Sequence, residues 1–471
     1  MQVHALYGPP GTGKTTELLR RVKSIRDSGV QAERVAFVSF TRAAASEALS
    51  RLGLKRSDNV STIHAMAFRS MGMRQAQVVD SMKLREFSTV MGIPIIGKSP
   101  EDDEERADGD FYLDLLNYAR NTFSNPAEVY DISDRPGNRA EFNAFVRAYA
   151  EWKSTYGYYD FTDMLERAAR GSMRGDAEVV FVDEAQDLSP LQWRVIEKLV
   201  RHAHEVHIAG DDDQAIYTWA GADAHGMARF TQKHKGDSHV LSLSHRLPAA
   251  VHSRSQALIR RVTFRVDKDF SPRPDLGLVR VHGSINSVDI THGEDILLLG
   301  RTHSVLREVE QSLIEQRIPY VRETGRPGMY QNRYAAAIRA FRKLGRGERI
   351  TDGERTAIFT CASAATRASL ESGDYKGVVG RPFYVALNIP GRAVDFYRDA
   401  DLESAPTIRL STIHAAKGHE AHRVILLTDM TTRVGQSAEK NPDDECRVFY
   451  VGMTRAKHTL DIVEGFNPYP L

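Results

Sequence analysis

Residues 8–15 read Gly8-Pro9-Pro10-Gly11-Thr12-Gly13-Lys14-Thr15, directly after the strand-like run Val3-His4-Ala5-Leu6-Tyr7. No other stretch of the chain restricts its fold as tightly. The pattern G-x-x-x-x-G-K-[ST] places glycines where the backbone must curl so that its N–H groups face phosphate oxygens. It leaves Lys14 to reach the β- and γ-phosphates and the Thr15 hydroxyl for Mg²⁺. Downstream, Leu18, Leu19, Val22 and Ile25 recur at helical spacing and Gly29 supplies a stop. The order strand, phosphate loop, helix follows, and with it the binding of a nucleoside triphosphate. What work the triphosphate drives must be read from the rest of the chain, because the same cradle serves many activities.

Further apolar runs of strand length end in polar residues: 35–38, 179–182, 206–209, 296–299 and 424–427. Such runs predict buried parallel strands of an α/β sheet. The stretch 79–170 has helical character instead. Phe142, Phe145, Val146 and Tyr149 fall on one face at i, i+3, i+4 and i+7, with Trp152 nearly in register, so a helical insert is expected there. The acidic run Glu101-Asp102-Asp103-Glu104-Glu105 inside it reads as a solvated loop. A second insert, 326–402, carries the basic cluster 342–349, read as an exposed helix end of mixed charge or a loop that touches nucleic acid.

A chain of 471 residues is long enough for about three domains. Its formal net charge of +1 means that any nucleic-acid contact comes from a local groove, not a global basic field. Cys361 and Cys446 stand alone and cannot build a cluster or a zinc site, so both are read as structural thiols. His202, His204 and His207 are split between a turn and a strand, a poor arrangement for converging on one ion. No apolar run of membrane-spanning length occurs, and the immediate start on a strand leaves no room for a signal peptide. A cytoplasmic, membrane-free protein is expected.

Asp183-Glu184-Ala185-Gln186-Asp187 follows the apolar run 179–182. A carboxylate at the end of a buried strand suits a Mg²⁺ partner, Asp183. Glu184 beside it is placed to orient and deprotonate an attacking water, the task that separates a hydrolase from a nucleotide-binding module.

Together with residues 8–15, the runs 183–187, Gly210-Asp211-Asp212-Asp213-Gln214-Ala215-Ile216-Tyr217 and Val451-Gly452-Met453-Thr454-Arg455-Ala456-Lys457 resemble motifs I, II, III and VI of UvrD/Rep-like (PcrA-like) superfamily 1A DNA helicases. The order continues with Phe40-Thr41-Arg42-Ala43-Ala44 (motif Ia), Ser61-Thr62-Ile63-His64 (Ib), Asp160-Phe161-Thr162-Asp163-Met164-Leu165, Leu243-Ser244-His245-Arg246 (IV), Arg301-Thr302 with Ile318-Pro319-Tyr320, and residues 411–420 (V). The resemblance implies two RecA-like parallel-sheet α/β P-loop NTPase domains. The first is expected over 1–78 and 171–245, with the helical insert 79–170. The second is expected over 246–325 and 403–471, with the reduced insert 326–402.

The resemblance further implies that Gln214 senses the γ-phosphate or the water, that Arg246 and Arg455 reach the phosphates across a domain cleft, and that Glu420 contacts the nucleotide sugar. Thr16 and His245 would border the base. An always-charged guanidinium supplied by a second domain would make hydrolysis depend on closure. Phe40, Thr41, Arg42, Thr62, His64, Tyr217, Trp219 and His414 match positions along a single-strand path, where aromatic faces stack bases without regard to sequence.

Three departures from the family pattern stand out. No glutamine lies far enough upstream of the loop to read adenine, His245 replaces a stacking Tyr, and Thr16 replaces a frequent Arg, so weak base discrimination is expected. Only residues 458–471 follow motif VI, too few for the strand-separating hairpin of larger relatives. The expectation is an ATP- and Mg²⁺-dependent 3′–5′ translocase and helicase on single-stranded DNA and 3′-tailed duplexes, serving replication or repair proteins. A DNA-dependent ATPase that displaces protein–DNA complexes is the alternative, and a nucleotide switch without nucleic acid a third reading.

Overall fold

The computed structural model describes residues 1–51, 59–97, 106–133, 138–171, 177–290, 294–323, 325 and 327–471, without the side chains of Arg42, Ala43 and Arg392. The acidic run 101–105 lies outside the described residues. Among the described residues, twelve strands form two six-stranded sheets. The first contains β1 (Gln2–Tyr7), β2 (Val35–Ser39), β3 (Val60–Thr62), β4 (Val179–Asp183), β5 (Glu205–Gly210) and β6 (Asp237–Val240), in the order β3-β2-β4-β5-β1-β6. The second contains β7 (Leu278–His282), β8 (Ile296–Gly300), β9 (Tyr320–Arg322), β10 (Ile408–Thr412), β11 (Ala421–Leu427) and β12 (Ala456–Val463), in the order β7-β12-β11-β8-β10-β9. Every pairing in both sheets is parallel.

Period-two alternation explains why the central strands are apolar throughout. Val35 and Phe37 of β2 join a core with Leu6, Val179, Phe181 and Ala209. Ala36 and Val38 join the core on the other face with Val180, Val182, Val206 and Ile208. Helices cover both faces: Leu18, Leu19 and Val22 of helix Lys14–Asp27 fill the first core, and Leu191, Val195 and Ile196 of helix Pro190–Leu199 fill the second. Each fully buried Val, Leu, Ile or Phe contributes about 1.5–3 kcal/mol.

Helices Ser81–Met91, Asp108–Thr122, Pro126–Asp131 and Arg139–Tyr156 occupy the first insert. The face foreseen from the periodicity is the one that packs: Phe142, Phe145 and Tyr149 form a core with Phe87, Phe111, Tyr112 and Tyr130. A polar knot holds this insert to helix Phe161–Arg170. Asp160 caps that helix by accepting from Asp163 N. Its carboxylate also takes Arg120 Nη1 at 2.9 Å and Lys153 Nζ at 2.5 Å, while Arg120 reaches Asp163 and Glu166 as well.

The chain divides into two compact units, Met1–Gly277 with Thr432–Thr454, and Leu278–Thr431 with Arg455–Leu471. Each contains one sheet, so the α/β class with two parallel-sheet domains is what the structure shows. Residues 246–277 and 432–454, placed with the second domain in the sequence reading, fold with the first. The reason is electrostatic and local: Arg265 and Lys268 pair with Asp211, Asp212 and Asp213, and Arg447 Nε donates to the Asp212 carbonyl at 3.0 Å.

In the second unit, Ile296, Leu298, Ile408, Leu410, Ile425 and Leu427 form the core on one sheet face. Residues 327–402 fold as a helical cluster around Ile338, Phe341, Ile358, Phe396 and Tyr397. The basic run 342–349 is internally engaged, as Arg342 donates to the carbonyls of Ala400 and Tyr397, Lys343 to Glu354, and Arg346 to Glu348. Both cysteines are buried and neither is in a disulfide. Among the described residues no helix is long and apolar enough to cross a membrane.

Candidate active site

In a parallel sheet the chain turns at the carboxyl ends of the strands, and ligands collect there. In the first unit the expected residues sit at those ends. β1 leads into the phosphate loop, β2 into Phe40, β3 ends on Thr62, β4 on Asp183, and β5 leads into Asp211.

The loop owes its curl to two glycines in the left-handed region, Gly11 at φ +75 and Gly13 at φ +83. Gly13 also precedes the first turn of helix Lys14–Asp27 without a side-chain cap, which leaves that turn's N–H groups to a ligand. A Cβ on Gly8 would lie 1.8 Å from Lys14 Cγ, and one on Gly11 2.4 Å from Arg246 Cβ, so both positions require glycine. Lys14 Nζ donates to the Gly8 carbonyl at 2.9 Å, folded back over the cradle. The Thr12 hydroxyl bonds the Pro9 carbonyl at 2.8 Å and stiffens the loop.

Thr15 Oγ1 donates to Asp183 Oδ2 at 2.8 Å, which brings the two expected Mg²⁺ partners together. Burial first, and the Glu184 charge second, raise the Asp183 carboxyl well above the usual carboxylate range. Among the described residues, Glu184 is one of few non-glycine residues at positive φ, +53. Gln186 Nε2 donates to Glu184 Oε2 at 2.5 Å, while Gln186 Oε1 accepts from Asp211 N at 3.0 Å. Gln214 Nε2 in turn donates to Asp211 Oδ2 at 2.7 Å. One hydrogen-bonded chain thus joins Glu184 to Gln214. Gln186 and Asp211, quoted in the motifs without a role, are its links; their only signal in the sequence was proximity to Glu184 and Gln214.

Residues 244–246 dock on the loop. Ser244 Oγ donates to the Pro10 carbonyl at 2.7 Å, and His245 N to the Gly11 carbonyl at 2.9 Å. The His245 ring is exposed, and Arg246 lies beside Gly11 with Nη1 3.4 Å from the Thr454 carbonyl. Arg246 therefore belongs to the unit that carries the loop, not to the second domain expected to supply it. The Thr16 hydroxyl accepts from Arg51 Nη1 at 3.2 Å.

The expected strand-binding residues divide. Phe40 stacks on Tyr217 with centroids 5.5 Å apart, and Trp219 meets Tyr217 edge-on at 6.4 Å with its surface 40% exposed. His64 sits edge-on to the exposed Phe161 at 5.7 Å, and burial lowers its pKa to about 4, which keeps it neutral. Thr41 and Thr62 use their hydroxyls at helix starts, accepting from Ala44 N and Ala65 N. The side chain of Arg42 lies outside the described residues.

In the second unit Arg455 is buried, its Nη1 3.5 Å from the His419 carbonyl and its own carbonyl accepting from Ala421 N at 3.1 Å. Lys457 Nζ lies 2.6 Å from Glu420 Oε1. Glu420 and Arg455 therefore lie just before the amino ends of the adjacent interior strands β11 and β12. His414 is buried at 2% exposure, so its ring is not offered at the surface.

Two family models match the chain. The UvrD/REP helicase N-terminal domain matches residues 2–235 and the UvrD-like helicase C-terminal domain residues 395–464. The ATP-dependent DNA helicase UvrD2 of Mycobacterium tuberculosis (strain ATCC 25618 / H37Rv) is 24% identical over 528 residues, covering 95% of this chain and 74% of the relative. DNA helicase II of Haemophilus influenzae is 25% identical over 67% of this chain and 49% of its own length. A probable DNA helicase of Mycoplasma pneumoniae is 22% identical over 99% of this chain and 82% of its own.

Proposed function

The chain belongs to the UvrD/REP helicase family, and from that premise we propose that it is an ATP-dependent motor that steps 3′ to 5′ along single-stranded DNA and unwinds 3′-tailed duplexes. The observation that carries the proposal is the continuity of residues 211–219. Asp211 and Gln214 at one end belong to the hydrogen-bonded chain around Glu184. Tyr217 and Trp219 at the other end form, with Phe40, an aromatic platform of the kind on which bases stack. A strand seated on the platform therefore acts on the same short segment that orients the hydrolytic residues.

The glycine cradle and the hydroxyl–carboxylate pair fit a Mg²⁺-bound triphosphate, since a hard cation takes oxygen ligands. Thr15 and Asp183 would hold the Mg²⁺, which supplies positive charge against the β- and γ-phosphate oxygens. Lys14 swings from the Gly8 carbonyl to the phosphates, and the loop N–H groups hold them. Glu184 takes the proton of the attacking water, and Gln214 orients that water. Arg246 beside the loop stabilises charge in the transition state.

The test compares ATP turnover with and without single-stranded DNA, and unwinding of 3′-tailed, 5′-tailed and blunt duplexes. Turnover should rise with DNA, and only the 3′-tailed duplex should open. DNA-independent turnover would remove the motor, and preference for the 5′ tail would reverse the polarity. Arrival times that do not lengthen with the strand, in stopped flow, would replace the motor with a clamp that displaces bound proteins.

A further inference from the structure

We infer that Lys268 is a positioning residue for ATP hydrolysis: its buried ammonium fixes Asp211, and Asp211 fixes Gln214. The inference rests on the ATPase reading above. Lys268 lies in an irregular stretch between helix Ala249–Ile259 and β7, with its side chain wholly shielded from solvent. Its Nζ is 3.1 Å from Asp211 Oδ1 and 3.1 Å from Asp213 Oδ2, and it donates to Asp212 Oδ1 as well. Burial alone would lower the lysine pKa; the three carboxylates overcome it and hold the group charged.

The three aspartates differ in what else holds them. Asp213 takes a two-pronged pair from Arg265, at 2.8 and 2.6 Å. Asp212 accepts from Val266 N at 2.8 Å. Asp211 turns Oδ1 to Lys268 and Oδ2 to Gln214 Nε2, so the ammonium and the glutamine amide share one carboxylate. The Asp211 N–H, through Gln186, also reaches Glu184. Asp211 is thus the branch point of both hydrolytic side chains, and Lys268 is the cation set against it. Without the ammonium, Asp211 faces the charges of Asp212 and Asp213, and the carboxylate rotates or takes up a proton. Either change releases Gln214 from its orientation while the phosphate loop stays intact.

The test removes the ammonium at constant cluster charge, as Lys268→Met with Asp212→Asn. Turnover should fall about 10- to 100-fold while affinity for Mg²⁺-ATP stays within about twofold, the pattern of an interaction that matters in the transition state. In a Gln214→Ala background the same pair of changes should lower kcat by less than about twofold, because residues acting through one another are not additive. A multiplicative loss in that background, or unchanged kcat in the folded variant, overturns the inference. Should the paired variant fail to fold, isosteric Asp211→Asn goes through the same cycle, and a multiplicative loss there overturns it equally. If Lys14→Ala turned over ATP as fast as the unaltered protein, the ATPase reading itself would fall, a result distinct from either outcome.

Discussion

Glu184 holds its backbone at φ +53 where β4 gives way to the turn Ala185–Asp187. A side chain in that region costs on the order of 1–3 kcal/mol and persists only where its surroundings fix it. Here Asp183 accepts from the Glu184 N–H at 2.9 Å and Gln186 grips the carboxylate. Glu184→Gln keeps the shape and removes the base, so kcat should drop by about 100- to 10,000-fold with Mg²⁺-nucleotide binding retained, in steady-state turnover beside equilibrium binding. Gly11→Ala tests the cradle instead. Its φ of +75 and the 2.4 Å approach to Arg246 Cβ leave no space for a methyl group, so nucleotide binding should be lost and the thermal midpoint lowered. The placement of Asp183 and Glu184 at the end of a buried strand was legible because two carboxylates after an apolar run form a local pattern. The contacts of Gln186 and Lys268 were not, since their partners lie 25 and 57 residues away (186 to 211, 211 to 268), where no periodicity announces them.

The segment Asp211–Trp219 joins two kinds of surface, a polar end buried against β5 and an aromatic end open to a ligand. Trp219→Ala should weaken single-stranded DNA binding by about 1–3 kcal/mol, seen as a higher DNA concentration for half-maximal ATPase stimulation. The knot around Asp160 concerns stability. Burial by itself would raise the Asp160 carboxyl, but Arg120 and Lys153 hold it below the usual carboxylate range. A group lowered on folding contributes stability above its unfolded pKa and loses it as pH falls through the lower folded value. Asp160→Asn should therefore cost on the order of 3 kcal/mol near pH 7 and progressively less below the ordinary carboxylate range, in thermal unfolding across pH. Both strands and helices were most legible where burial is two-sided or strictly periodic. β2, β4, β5, β8 and β11 are buried along nearly their whole length, and the stripe of helix Arg139–Tyr156 packs as its spacing foretold. The edge strands β6 and β7 escaped notice because they are short and largely solvent-facing; β6 is mostly polar, and the apolar Leu278 and Val281 of β7 are exposed and form no long apolar run.

The chain passes between its two units three times, after Gly277, after Thr431 and after Thr454. The boundary foreseen at 245/246 followed motif order, yet the buried cations of 246–277 and the helix Pro442–Met453 give those residues to the first unit. The first unit therefore cannot be obtained by a single cut. A chain ending at 277 lacks Val448, Phe449, Tyr450, Val451 and Met453, all buried. At about 1.5–3 kcal/mol for each such side chain, the loss is comparable to the 5–15 kcal/mol that typically separates folded from unfolded domains. It also leaves the Asp212 carbonyl without Arg447 and the Leu258 carbonyl without Cys446. Residues 1–277 alone should show no cooperative thermal transition by circular dichroism, whereas 1–277 joined through a flexible linker to 432–454 should regain one. Cooperative unfolding of 1–277 by itself would show that the helix is an accessory.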